Sequence, residues 1–70
     1  RSVLYAQATV NGFQLVDTTP KIIFSILKTA TSNLYVIKDK DGVLYKKGDF
    51  WVAEYYKNNT SIIKEFYIKF

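Results

Sequence analysis

The stretch LYVIKDKDGVLYKKGDFWVAEYYKNNTSIIKEFYIKF, Leu34–Phe70, decides the fold. It reads as β-strands laid end to end and divided by short polar turns. Leu34–Lys38 and Val43–Lys47 are rich in branched and aromatic residues, which suit a pleated and half-buried surface. Between them, Asp39-Lys40-Asp41-Gly42 suits a type I turn closed by a left-handed glycine bulge. Gly48-Asp49 makes the next corner, Phe50–Tyr56 a long strand, and Lys57-Asn58-Asn59-Thr60 another turn. Ile62–Phe70 is the last strand: Ile62, Phe66, Ile68 and Phe70 share one face, interrupted by Lys64. These four residues are the expected core acceptors.

The pattern continues toward the N-terminus. From Ser2 to Val10, Leu4, Ala6, Ala8 and Val10 alternate with Val3, Tyr5, Gln7 and Thr9, as in a half-buried strand. Asn11-Gly12 follows, a strong short hairpin signal because both residues tolerate positive φ, and Phe13–Val16 returns. Asp17-Thr18-Thr19-Pro20 is a break. Lys21–Thr31 admits two readings. Ile22, Ile23, Ile26 and Leu27 fall on one helical face, with Thr19 as N-cap and Pro20 at the first helical position. Against a helix, Lys21 opposes the dipole at that end, and the run Ile-Ile-Phe-Ser-Ile-Leu has strand composition. Strand is the favoured reading, with a loop at Ala30–Asn33.

Turns thus recur about every eight to twelve residues, the rhythm of a sandwich or barrel. The expected fold is all-β, one domain over 1–70: a small antiparallel sandwich or partly open barrel of six to seven strands. The alternative is α+β with one helix at 20–31.

A chain of 70 residues buries only about 60% of the surface its unfolded form exposes. It has no Cys and no His, hence no disulfide and no thiolate or imidazole metal site. Aromatic bulk and association with other chains remain as sources of core. There is no Met either, as expected of a processed mature protein or an excised domain. No apolar run is long enough for a transmembrane helix. The absence of sulfur fits a secreted protein, so an extracellular or cell-surface location is expected.

The net charge is +4, and the lysines are interleaved with acids along the chain, as on a solvated β-surface with guarded edges. The only Arg is Arg1, which argues against recognition built on planar guanidinium forks.

Catalytic chemistry finds no footing. Nucleophilic catalysis needs an activated nucleophile beside a base, and there is no His to serve. Asp39 with Asp41, or Asp49 with Glu54, are carboxylate pairs, but Asp at turns ordinarily bonds nearby backbone amides. Asp39-Lys40-Asp41-Gly42 lacks the downstream Glu and flanking helices of a calcium loop. Gly12, Gly42 and Gly48 are isolated, not a phosphate cradle. Asn58 and Asn59 each begin an Asn-x-Thr/Ser glycosylation triplet, or simply make a turn. No enzyme activity and no cofactor is expected.

Three functional readings follow. The first is a non-enzymatic extracellular structural protein that self-assembles by pairing or donating its N-terminal strand. Val3, Leu4, Tyr5, Ala6, Ala8 and Val10 then form the assembly strand, and the partner is a second copy or another protein. Deleting residues 1–10 would abolish assembly and leave soluble protein. The second is a binding module for oligonucleotide or glycan. It takes Phe50, Val52 and Tyr56 as inward and uses Trp51, Tyr55 and Tyr67 as outward stacking platforms beside Lys. The third is a small cationic secreted effector, which +4 supports least.

Overall fold

The computed structural model describes all 70 residues, Arg1–Phe70. Seven strands follow one another in sequence: β1 (Ser2–Ala8), β2 (Gly12–Val16), β3 (Ile22–Lys28), β4 (Leu34–Ile37), β5 (Asp41–Lys47), β6 (Phe50–Lys57) and β7 (Thr60–Lys69). Each pairs with its chain neighbour, and β1 pairs with β7, so the sheet is a closed barrel. There is no helix, hence none long and apolar enough to cross a membrane. Within the 21–31 segment, Ile22–Lys28 is strand β3, and no helix forms.

The expected all-β fold of six to seven strands is what forms; the barrel is fully closed rather than partly open, and one of its seven pairings is parallel. In a meander of antiparallel neighbours with an odd strand count, the first and last strands point the same way. Closing such a sheet requires a parallel seam, and β1 and β7 form it, from Ser2 opposite Phe66 to Tyr5 opposite Lys69. Closure pairs the two edges that an open sheet would present along Ser2–Tyr5 and Phe66–Lys69.

Side chains alternate in and out. Leu4, Leu15, Phe24, Ile26, Ile37, Leu44, Trp51, Ala53, Tyr55 and Phe66 form the core, with Ala6, Phe13, Ile23, Tyr35, Ile62 and Ile68 packed against it. Every strand contributes. The expected acceptors Ile62, Phe66 and Ile68 lie in or against this core. Phe70 follows the last strand, and its ring meets Phe13, Tyr35 and Trp51 at centroid distances of 5.1, 6.0 and 5.2 Å. It is 53% exposed, so it covers one barrel end rather than filling the middle.

Two glycines act differently from expectation. Asn11-Gly12 was expected as the turn on its tolerance of positive φ, but neither residue uses it. Instead the Thr9 N–H donates to the Gly12 carbonyl, the connection is Thr9–Asn11, and Gly12 opens β2. A Cβ on Gly12 would collide with the Ile26 carbonyl oxygen and stand 2.8 Å from the carbonyl carbon. Gly42 likewise lies within β5, not in a left-handed bulge. A Cβ there would collide with the Tyr55 Cβ and stand 2.7 Å from the Tyr55 Cα, while Asp39 supplies the positive φ of that turn at 64°. Both glycines permit close approach of neighbouring strands. The first turn, one residue earlier than expected, also ends β1 at Ala8, leaving Val10 outside the strand and exposed.

The β2–β3 connection is knotted by one carboxylate. Asp17 Oδ1 accepts from the Thr19 hydroxyl and from the backbone N–H of Thr19 and Lys21. The Thr19 hydroxyl, then the two amides, hold the Asp17 carboxyl below its ordinary value. A depressed folded-state pKa adds stability that is present above the unfolded value, about 3.9, and is lost as pH falls through the folded one. We expect the melting temperature to fall on acidification below about pH 4, with a smaller fall in Asp17→Asn. Equal acid slopes in the two proteins would count against this knot.

Candidate anion-binding groove

The largest concavity lies on the outer wall across β3–β6, at the end where the β4–β5 turn meets the end of β6. It measures about 560 Å³ and is lined by Leu27, Val36, Ile37, Lys38, Asp39, Lys40, Asp41, Tyr56 and Lys57. The apolar members come from strands β3 and β4; the charged ones come from the turn and the adjoining strand ends.

Local hydrogen bonds shape this wall. The Lys38 N–H donates to the Ser25 carbonyl at 2.8 Å, fixing the exit of β4 against β3. The Gly42 N–H reaches the Lys40 carbonyl at 3.0 Å. Tyr56 sits between Asp41 and Ser61 in the sheet register and points outward, 59% exposed. The Lys40 ammonium stands 5.0 Å from the centroid of the Tyr55 ring, a cation–π placement.

The groove sets three lysines against two aspartates, a small positive excess. The structure's single salt bridge joins Arg1 to Glu65 at 3.1 Å. Lys38, Lys40 and Lys57 therefore form no ion pair with Asp39 or Asp41, and the Lys40 ammonium is held over the Tyr55 ring. Lysine ammoniums are compact point charges on flexible stems, suited to phosphate or sulfate oxygens rather than to bidentate geometry.

The expected stacking surface is not assembled. Trp51 and Tyr55 are 7% and 6% exposed and belong to the core, so the inward and outward faces of β6 are the reverse of the expected ones. The cause is the run Phe50–Ala53, apolar at every position, which carries no alternation to read. Glu54 was the available signal: if it points out, so do Val52 and Tyr56. Val52 is nevertheless buried on the outer face, opposite Tyr45 and Glu65. Tyr67 does face outward, but at the seam, where Arg1 covers it: the guanidinium is 5.8 Å from its ring and 3.6 Å from that of Phe50. Tyr56, expected inside, is the aromatic side chain the groove exposes.

The expected assembly strand is held on both sides. β1 pairs with β2 from Tyr5 to Ala8 and with β7 from Ser2 to Tyr5, and Leu4 is buried. A second cavity, about 180 Å³, lies under the β3–β4 loop. It is smaller than the ~300 Å³ at which ligand pockets usually begin. The Thr29 hydroxyl there donates to the Leu34 carbonyl at 2.8 Å and accepts from the Thr31 N–H, which ties the loop down.

Compared with protein-family models, curated proteins and solved structures, the chain matches none.

Proposed function

We propose that this barrel is a non-catalytic binding module that holds an extended polyanion in the β3–β6 groove. One observation carries the reading: Lys38, Lys40 and Lys57, none of them ion-paired, line the largest concavity beside the exposed Tyr56. The absence of His and Cys and of any nucleophile–base pair in the sequence supports the non-catalytic part.

Inorganic polyphosphate is the probe. Replacing Lys38, Lys40 and Lys57 together by Ala should weaken its binding at least tenfold at low salt, with an unchanged circular dichroism spectrum. Replacing Lys46 and Lys47 at the other end of β5 should leave binding nearly intact. Equal losses in the two variants would mean diffuse attraction by net charge, and the groove assignment would fall.

A second reading, self-assembly by strand pairing, has its own support. β1 covers β7 only from Phe66 to Lys69, so the outer edge of Thr60–Glu65 faces no strand, and Ile63 there is 61% exposed. In this reading pairing moves from β1 to the free part of β7, and an extracellular setting is proposed with it. Light scattering should then show mass rising with concentration in the natural protein and a fixed 8.1 kDa in Ile63→Lys. A natural protein that stays monomeric throughout removes this reading.

A further inference from the structure

We infer that the polyanion is single-stranded nucleic acid, bound with little sequence preference. This rests on the groove reading above and specifies its ligand. The groove is chemically mixed. Lys38, Lys40 and Lys57 share it with Asp39 and Asp41, the apolar Leu27 and Val36, and the exposed Tyr56 ring. A bare polyphosphate or sulfated glycan gains from the three lysines and loses to both carboxylates. A nucleic acid strand uses all the groups: phosphates meet ammoniums, a base lies on Tyr56, and carboxylates accept from exocyclic amino groups.

The same residues argue for a single strand. The face of the Tyr56 ring is useful only to a base free of its own stack, and the molecule has no helix to enter a major groove. Sequence tolerance follows from the kind of cation. The groove contains no Arg, since Arg1 is engaged with Glu65 and Phe50 at the seam. Lysines and a stacking ring carry little base identity.

The test titrates the protein with three probes: a short single-stranded DNA of mixed sequence, an abasic oligomer of the same length, and polyphosphate. We expect the DNA to bind about tenfold tighter than the abasic oligomer, with Tyr56→Ala losing about five- to a hundredfold for DNA alone. Tyr56→Phe keeps the ring and should retain binding. At about 0.7 per neutralised phosphate, three lysines give a log–log salt slope near −2. If all three polyanions bind alike and Tyr56→Ala changes nothing, the nucleic-acid inference is overturned while the groove reading stands. If none binds, both fall.

Discussion

A chain lacking Ser2–Ala8 will not fold. The deletion removes the strand that joins β2 to β7, takes Leu4 and Ala6 from the core, and exposes two edges at once. In so small a domain the remaining core has little reserve, and open edges invite intermolecular pairing. The expected result is loss of the cooperative thermal transition, with aggregation in light scattering. The sequence alone suggested the opposite, a soluble remnant unable to assemble, because it treated the first strand as separable. A truncated chain that still melts cooperatively as a monomer would show that the parallel seam is dispensable.

The second large effect is expected at Gly12. Its missing Cβ leaves room for the Ile26 carbonyl, with which an alanine methyl would collide, and that methyl would also stand 3.0 Å from the Leu27 Cα. Both neighbours are backbone in a paired strand, so the clash is relieved only by parting β2 from β3. We expect Gly12→Ala to cost about 3 kcal/mol or more, the upper range for overpacking. Gly48 is the control. Its φ is +64°, and a Cβ there would meet no atom within 4 Å. Gly48→Ala should therefore cost only about 1–2 kcal/mol for left-handed backbone, and Gly48→Asn less. Urea unfolding of the variants measures the contrast. Equal costs at Gly12 and Gly48 would contradict the close approach of β2 and β3.

What the sequence made legible depended on local signals. Strand composition and turn residues located all seven strands, and the β-branched run after Pro20 correctly outweighed a weak helical face. Asn58 and Asn59, with φ of 52° and 62°, make the turn that their residue type announces. Closure was not legible, because nothing local distinguishes an open seventh strand from one that returns to the first. The role of Gly12 was hidden for a similar reason: its constraint comes from Ile26 across the sheet, not from its own φ. Face assignment failed in Phe50–Ala53, where every position is apolar. That failure moved Trp51 and Tyr55 to the surface and Tyr56 to the interior, so the groove's aromatic was missed although its lysines were in plain view.

The groove brings together three segments far apart in the chain: Leu27 from β3, Val36–Asp41 from the β4–β5 corner, and Tyr56-Lys57 from β6. Barrel registration makes this possible, since β4, β5 and β6 lie side by side with Asp41 opposite Tyr56. The site is thus a product of the fold's registration rather than of any sequence motif.

The most direct measurement is amide chemical-shift mapping by NMR during titration with short single-stranded DNA of mixed sequence. The account predicts that the largest shifts lie at Leu27, Val36–Asp41 and Tyr56-Lys57, with the Arg1–Glu65 seam and the Lys46-Lys47 end unmoved. Shifts centred on the seam, or spread evenly over every exposed lysine, would contradict it.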